Sequence, residues 1–232
     1  IWQRESYHEY RDLWYSNMEF SDPEKLSNAN PQKRDYNWGD VQLTEWISFN
    51  GDSLEGLIYT PENFDPEKKY PMLVYFYRRQ SHELHWHWEP KPGRSIICPT
   101  FYVSRGYVVF MPDIKYQTGY PGESAFNCVM SGVAHMLEKG FVDKNCMALQ
   151  GQSWGGYQIA YLVTRTNAFK AAMAGAPVSN MTSAYGGIRW KTGMSRMFQY
   201  EKTQSRIGGT LWEKPLHYIE NSPVFYADKI KT

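Results

Sequence analysis

The chain has 232 residues, of which 42% are hydrophobic and 16% aromatic, so it can bury a sizeable core and has the size of one domain. Its net charge of +1, and the lack of a Lys/Arg cluster interleaved with aromatics, argue against a nucleic-acid surface, while its longest apolar runs have strand length and predict no membrane span. Its three cysteines, Cys98, Cys128 and Cys146, lie far apart and indicate neither a disulfide framework nor a thiolate metal site.

The first forty residues are polar, aromatic-rich and weakly periodic, with a turn signal at Ser21-Asp22-Pro23. A flexible arm would have this polarity, but the Trp and Tyr content favours a segment that packs on a partner surface. The chain starts at Ile1 without an initiator Met or a signal-peptide pattern. We therefore expect that a leader has been removed or that the chain starts inside a longer protein.

From Val41 the pattern changes to strands. Val41–Ser48 and Leu54–Thr60 are strand-like runs joined through Asn50-Gly51-Asp52, and Asn-Gly between two such runs is a strong hairpin signal. Pro71–Tyr77 and Tyr107–Pro112 are continuous apolar runs, which are typical of parallel strands buried on both faces. The sequence therefore predicts an antiparallel hairpin followed by two central parallel strands.

Helical and strand patterns alternate in the second half of the chain. Ser124–Lys139 has apolar side chains at helical spacing, and Gly140 follows as a stop. Cys146–Leu149 predicts a further strand, Gln158–Arg165 a helix, and Ala171–Ala176 another short buried strand. This alternation indicates an α/β fold with a mainly parallel sheet and helices on both faces.

The stretch Gly151-Gln152-Ser153-Trp154-Gly155-Gly156 lies between the Cys146–Leu149 run and the helix that follows. A G-x-S-x-G sequence at a strand-to-helix turn is the pattern of a nucleophile elbow, in which a strained backbone lifts the serine oxygen above the sheet. Glycines flank the serine because a Cβ at either position would collide with the turn. A structural turn serine is the alternative interpretation.

With its flanking strands, this stretch resembles the catalytic domain of the prolyl oligopeptidase family of serine peptidases, on the dipeptidyl-peptidase-IV-like side and in a bacterial version. The resemblance lies in five stretches in the family's order, which are Lys69–Tyr77, Gly106–Asp113, Gly140–Asp143, Gly151–Tyr157 and Ala174–Ser179. It implies an α/β-hydrolase fold over residues 41–232, preceded over residues 1–40 by the end of a β-propeller and a linker. No cofactor is expected.

The triad of this fold runs Ser, then Asp or Glu, then His along the chain. After Ser153 the sequence holds one Asp, Asp228, and one His, His217, and these come in the reverse order. We therefore expect a hydrolase domain that is incomplete at its C-terminal end, with both triad partners in the missing remainder of its own polypeptide. The sheet would then have an unpaired edge that another segment should cover.

Three residues are predicted to be catalytic. Ser153 would be the nucleophile, and the backbone N–H of Trp154 would be one oxyanion donor, because that role belongs to the residue after the nucleophile. The Trp154 indole could equally belong to the core or to the wall of the site. The resemblance implies that the Tyr77 hydroxyl is the second donor, and a strand-end aromatic that packs on the core is the alternative.

The residues that follow Tyr77 depart from the family pattern. Better-known members have small residues there, whereas this chain has Arg78 and Arg79. The two arginines are either a solvated pair or a means of engaging a substrate carboxylate.

A histidine cluster lies further along the same loop. His82, His85 and His87 form an H-x-x-H-x-H pattern that invites a zinc hypothesis. Only Glu83 and Glu89 accompany them, and a site on such a Trp-rich loop would be irregular. No metal is predicted.

By the resemblance, the pocket for the residue before the scissile bond lies in or near the aromatic and Met-rich stretch Met181–Tyr200. Val178, Tyr185 and Trp190 are its predicted lining. A shape-selective apolar slot would suit proline or a small residue such as alanine better than a charged residue. Ordinary core aromatics are the alternative interpretation of the same side chains.

The sequence as a whole predicts a serine peptidase that hydrolyses oligopeptides, after proline or a small residue, through a Ser-acyl intermediate. An esterase or acyl hydrolase of the same fold, and a non-catalytic binding subunit, stay open as alternatives. The expected partners are a peptide substrate and the remainder of the polypeptide, without which this chain is expected to be nearly inactive. The bacterial resemblance implies a periplasmic or secreted location, and a cytoplasmic one is also compatible with the sequence.

Overall fold

The computed structural model of the chain describes residues 1–90 and 96–232. Its strands are β1 (Trp2–Arg4), β2 (Asp12–Tyr15), β3 (Glu24–Lys25), β4 (Asp40–Ile47), β5 (Ser53–Thr60), β6 (Tyr70–Tyr75), β7 (Val108–Pro112), β8 (Val142–Gln152), β9 (Ala171–Gly175), β10 (Ile188–Arg189) and β11 (Met194–Ser195). Its α-helices are α1 (Pro99–Val103), α2 (Pro121–Glu138), α3 (Trp154–Leu162), α4 (Met181–Tyr185), α5 (Met197–Glu201) and α6 (Pro215–Glu220). Short 3₁₀ helices span Pro31–Asp35, Ser81–Glu83 and Pro223–Lys229.

A six-stranded sheet in the order β4-β5-β7-β6-β8-β9 forms the centre of the molecule. β4 and β5 pair as an antiparallel hairpin, and β5 also pairs antiparallel with β7. Gly51, with φ +83°, takes the left-handed position in the hairpin turn. All neighbours from β7 to β9 are parallel. The predicted hairpin and the two central parallel strands are therefore confirmed.

Both faces of the sheet are covered, and the side chains of β6 show how. Met72 and Val74 pack into one core, with the apolar side chains of α2 and α3, whereas Leu73 and Tyr75 pack into a second core on the opposite face. The second core also contains side chains from the N-terminal segment and from α1. A strand that is buried on both faces has no polar side, which explains its continuous apolar run.

The N-terminal segment packs on the central sheet through Tyr7. β1, β2 and β3 form a small antiparallel sheet of their own, and the Tyr7 side chain that follows β1 is 2% exposed. Its hydroxyl donates to the Trp38 carbonyl at 2.7 Å, and its ring lies 5.4 Å from that of Tyr59 in β5. The segment is therefore anchored by an aromatic contact, and its origin as the end of a propeller stays a prediction.

Two elements differ from their sequence predictions. β9 was predicted to be buried, which is wrong, since Ala171, Ala172 and Met173 are exposed. Among the described residues β9 pairs with β8 alone, so it is an open edge of the sheet. Helix α3 begins at Trp154, four residues before the predicted Gln158. The sequence pattern missed this first turn because it contains glycines, which have low helix propensity, and tertiary contacts override that propensity.

Candidate active site

Ser153 lies at the turn between β8 and α3 with φ +58° and ψ −110°, a conformation that residues other than glycine rarely adopt. Its N–H donates to the Gly175 carbonyl at 2.8 Å, and its carbonyl accepts the Tyr157 N–H at 2.9 Å. These two bonds hold the strained residue from both sides, and its side chain is exposed. The backbone therefore has the geometry that a nucleophile elbow requires.

The glycines around Ser153 are explained by backbone atoms that lie against them. A Cβ on Gly155 would come 2.4 Å from the Phe76 carbonyl oxygen, and a Cβ on Gly156 would come 2.4 Å from the Gly175 carbonyl oxygen. Helix α3 therefore begins in direct contact with the ends of both neighbouring strands. Any side chain at these two positions would push the helix away from the sheet.

The two predicted oxyanion donors meet at one cavity. Trp154 is the first residue of α3, so its N–H has no acceptor within the helix. Tyr77 follows β6, the parallel neighbour of β8, and residues that follow neighbouring parallel strands come together at the same sheet edge. Tyr77 and Trp154 line a cavity of about 310 Å³, and the Tyr77 side chain is 36% exposed.

Two glutamines hold Tyr77 in place, and sequence reasoning missed both. The buried Gln158 of α3 donates through Nε2 to the carbonyls of Tyr77, at 2.7 Å, and Trp154, at 3.1 Å. Gln204 donates to the Tyr77 hydroxyl at 2.8 Å, which leaves the hydroxyl proton free for an acceptor in the cavity. Gln158 could have been recognised as a polar residue on an inward helix position, since buried amides need partners. Gln204 has no local signal.

The Trp154 indole belongs to an aromatic core behind the site. It is 3% exposed, stacks on Tyr157 at 4.5 Å, and donates through Nε1 to the Tyr116 hydroxyl at 2.9 Å. Tyr116 in turn donates to the Tyr77 carbonyl at 3.3 Å. Burial raises the pKa of Tyr116 well above its ordinary value, so this hydroxyl stays protonated. The tyrosine loop and the elbow helix are thus joined by side chains as well as by backbone packing.

The structure places the three predicted pocket residues in different surroundings. Val178 is half-buried beyond β9 and packs against the aromatic core that contains Trp154. Tyr185 is 2% exposed, and its hydroxyl donates to the Glu201 carboxylate, which favours the core interpretation of this residue. Trp190 is 94% exposed between β10 and β11. A role for these three in substrate binding stays a prediction.

The histidine cluster serves packing in this structure. His87 is buried, its Nδ1 donates to the Tyr7 carbonyl at 3.0 Å, and its ring lies 4.8 Å from that of Trp38. His82 lies against Trp86. In residues 1–90 and 96–232, no three His, Cys, Asp or Glu side chains are grouped so that they could hold a metal ion. His87 therefore ties its loop to the N-terminal segment.

Glu83, in the same loop, is expected to make the free energy of unfolding depend on pH. Burial raises its pKa to about 7, against a lowering hydrogen bond with Gln80. The folded state then binds this proton more tightly than the unfolded chain does. The stability that this contributes is complete below the ordinary glutamate pKa and is lost as the pH rises through about 7.

We expect Glu83→Gln to raise the free energy of unfolding at pH 8 by roughly 1–2 kcal/mol, discounted for partial exposure, and to change it little at pH 4. Gln keeps the shape of the side chain and removes its ionisation. Urea unfolding at the two pH values measures the difference, with the exposed Glu67→Gln as control. An equal gain at both pH values would contradict the assignment to ionisation.

A mainly parallel α/β sheet, with a strained serine at a glycine-lined turn after a central strand, defines an α/β-hydrolase. The chain belongs to the prolyl oligopeptidase family, whose sequence model matches residues 97–232, more than half of the chain. The resemblance inferred from the five sequence stretches is thereby confirmed.

Curated proteins that are similar to this chain carry peptidase names. The chain is 29% identical over 161 residues to a probable dipeptidyl-aminopeptidase B of Ajellomyces capsulatus, covering 60% of this chain and 16% of that protein. It is 24% identical over 221 residues to dipeptidyl-peptidase 5 of Porphyromonas endodontalis, covering 84% of this chain and 29% of that protein. The chain thus spans less than a third of the length of these relatives.

Solved structures share the fold. The acylaminoacyl peptidase of Pyrococcus horikoshii superposes with a TM-score of 0.75 at 17% identity, over 99% of this chain and 36% of that one. Dipeptidyl peptidase 4 of Porphyromonas gingivalis superposes with a TM-score of 0.73 at 20% identity, over 99% of this chain and 32% of that one. The expected α/β-hydrolase fold is confirmed.

Proposed function

We propose that the protein is a serine peptidase that hydrolyses oligopeptides through an acyl intermediate on Ser153. The observation that carries the proposal is the strained Ser153 backbone beside a cavity lined by both Tyr77 and Trp154. Membership of the prolyl oligopeptidase family and the peptidase names of the relatives support a peptide as the substrate.

In the proposed reaction, the Ser153 hydroxyl oxygen attacks the scissile carbonyl carbon and its proton passes to a general base. The carbonyl oxygen becomes an oxyanion, which accepts hydrogen bonds from the Trp154 N–H and the Tyr77 hydroxyl. Collapse of the intermediate breaks the peptide bond, and the leaving amine takes the proton from the base. Water then hydrolyses the acyl-enzyme by the same steps and restores the Ser153 hydroxyl.

The general base is proposed to come from outside these 232 residues, with the acid that orients it. Among the described residues, no hydrogen bond joins the Ser153 hydroxyl to a histidine. His217 is engaged elsewhere, since its Nδ1 lies 3.2 Å from the Gly119 carbonyl and its ring packs edge-on against Tyr120. The Ser, acid, His order of the fold supports a base that follows Ser153 at greater distance along the polypeptide.

The proposed preference is for proline or a small residue before the scissile bond. Val178 follows β9 and contacts the aromatic core next to Ser153, so an apolar side chain in that direction would meet an apolar surface. Such a surface discriminates by shape and excludes charge.

A fluorophosphonate probe tests the proposal, because it reacts with an activated serine. We expect the full-length natural protein to be labelled on the tryptic peptide that contains Ser153. Hydrolysis of a proline-ending peptide anilide, compared with that of a short-chain acyl ester, separates the peptidase from an esterase of the same fold. Labelling at another serine would overturn the assignment of Ser153, and the absence of labelling would favour a non-catalytic subunit.

Removal of one proposed oxyanion donor is expected to lower the activity without abolishing it. We expect Tyr77→Phe to lower kcat by roughly 10²–10³, with little change in KM, because the hydroxyl acts on the charge that develops in the transition state. Steady-state kinetics on the peptide anilide measures the effect. Tyr107→Phe is the matched control, since this tyrosine is 38% exposed and lies at the other end of the parallel strands. A loss confined to KM would argue that Tyr77 binds substrate only.

A periplasmic or secreted location is part of the proposal, and it rests on the bacterial resemblance alone. In the described parts of the chain, none of the helices has the length and apolar character needed to cross a bilayer. Fractionation of the source cells tests the location, and recovery in the cytoplasm would contradict it.

A further inference from the structure

The charged side chains described around the cavity beside the predicted oxyanion donors are all basic. Besides Tyr77 and Trp154, it is lined by Arg78, Lys202 and Arg206, and no acidic side chain in residues 1–90 and 96–232 lines it. Arg78 and Arg206 also line a second cavity next to β7, whose charged lining further includes Arg79 and Lys115 and the acidic Glu55 and Asp113. A substrate whose carbonyl carbon reaches Ser153 would therefore extend past two guanidinium groups.

The arginines of this loop differ in their partners. Arg79 lies 3.7 Å from Asp113, whose carboxylate also accepts the N–H groups of Gln80 and Ser81. Among the residues that the structure describes, the Arg78 side chain has no ion pair and no hydrogen bond. The sequence treated Arg78 and Arg79 as one pair, but of the two it is Arg78 that lines the cavity beside the predicted oxyanion donors.

The Arg206 guanidinium, like that of Arg78, has donors that are free to bind a ligand. Its side chain donates through Nη1 to the Gln204 carbonyl at 2.7 Å and lies over the Tyr116 ring at 5.0 Å. No acidic partner for it occurs in the described part of the chain. Since a guanidinium has five N–H donors, most of the Arg206 donors are left for a bidentate acceptor such as a carboxylate.

The backbone holds Arg206 in an unfavourable position. Its φ is +51°, although it is not glycine, and its neighbours Ser205 and Ile207 are each 1% exposed. Its carbonyl accepts the Gly119 N–H at 2.7 Å. Burial, together with the nearby charge of Arg78, lowers the pKa of Arg206. The repulsion between these two like charges is relieved when an anion lies between them.

The order of the sheet gives the direction in which this anion would lie. Tyr77 and Arg78 follow β6, Ser153 follows β8, and Val178 follows β9 on the far side of β8. Arg78 and the proposed apolar pocket therefore follow strands on opposite sides of the strand that leads to Ser153. If the residue before the scissile bond faces Val178, the residue after it faces Arg78.

We propose that Arg78 and Arg206 form a carboxylate-binding subsite for the residue immediately after the scissile bond, so that the substrates carry a carboxylate at that residue. The inference rests on the proposed function, since it places the carboxylate relative to the bond that Ser153 cleaves. The carboxylate is either the C-terminus of the peptide or the side chain of an Asp or Glu, because both present the same planar pair of oxygens.

Binding to the Ser153→Ala variant of the full-length protein tests the subsite without turnover. Four peptides serve as probes in calorimetric titrations: Ala-Pro-Ala, its C-terminal amide, Ala-Pro-Glu-amide and Ala-Pro-Gln-amide. We expect one or both carboxylate peptides to bind roughly 10–100-fold more tightly than their neutral partners, which is the range of a charge-assisted hydrogen-bonded pair. The first pair of peptides reports on a C-terminal carboxylate and the second on a side chain.

Substitution of the arginines assigns the effect. In the Ser153→Ala background, Arg78→Gln and Arg206→Gln are each expected to reduce the preference for carboxylate at least roughly fivefold, while Arg79→Gln, with the same charge change on the same loop, keeps it. Should Arg206→Gln fail to fold, the exposed Arg78 decides alone.

Equal binding of carboxylate and neutral peptides, or no measurable binding of either carboxylate peptide, overturns the inference. So does a preference that survives Arg78→Gln. Labelling of the wild-type protein by fluorophosphonate at Ser153 decides the proposed function separately, so the failure of the subsite and the failure of the peptidase assignment give different results.

Discussion

Ser153→Ala in the full-length protein is expected to lower kcat for a peptide anilide by roughly 10⁵–10⁶, as removal of the nucleophile does in other serine hydrolases. The proposed acyl intermediate needs the Ser153 oxygen, and backbone bonds to Gly175 and Tyr157 hold this residue at the elbow. The oxyanion donors are untouched, so a residual roughly 10³–10⁴ over the reaction in water should persist. Single-turnover kinetics on purified variant measures both.

KM should stay within a few fold, because Ala at this position leaves the cavity lined by Tyr77 and Trp154 in place. Ser183→Ala is a suitable control, since Ser183 is an exposed serine on α4. A loss of less than about tenfold at Ser153 would show that the nucleophile lies elsewhere, and the interpretation of the strained turn would have to be given up.

Gly155→Ala is expected to damage both stability and activity. The added Cβ would lie 2.4 Å from the Phe76 carbonyl oxygen, which is backbone and cannot rotate away as a side chain could. Intrinsic helix propensity favours Ala over Gly by about 1 kcal/mol, so a purely local account predicts stabilisation. We expect the clash to prevail and to lower the free energy of unfolding by about 1–3 kcal/mol.

The same substitution should lower kcat/KM by at least roughly 10², because the peptide that must move joins Phe76 to Tyr77, the proposed second oxyanion donor. Urea unfolding and steady-state kinetics report the two effects. Gly186→Ala provides the control, since nothing lies within 4 Å of its Cβ position and its φ is −79°. Unchanged activity in Gly155→Ala would mean that Tyr77 does not depend on this contact.

Local patterns were enough to predict most of the fold and the centre of the site. Periodicity and the Asn50-Gly51 turn predicted the hairpin, and the continuous apolar runs predicted β6 and β7, because burial on both faces leaves no polar alternation. The elbow was predictable because its glycines and serine are adjacent in the chain. Its strain is a local property of the backbone.

The remaining features depend on contacts between distant residues. Gln204 and Tyr77 are 127 positions apart, so nothing near either one signals their hydrogen bond. Arg78 and Arg79 are equivalent in sequence, and only the position of Asp113 distinguishes them. An unpaired edge of the sheet was predicted but was not placed at β9, since an apolar run does not say how many neighbours a strand has.

Gln158 also affects how the site responds to thermal motion. Its amide is bonded to the carbonyls of Tyr77 and Trp154 at once, and it stands on the same helix as the second of these. We therefore expect a rocking motion of α3 against the sheet to carry both proposed oxyanion donors in the same direction, so that the distance between them changes less than the position of either one. The distance between the Trp154 N–H and the Tyr77 hydroxyl, which the oxyanion would have to fit, would then stay nearly constant while the helix moves.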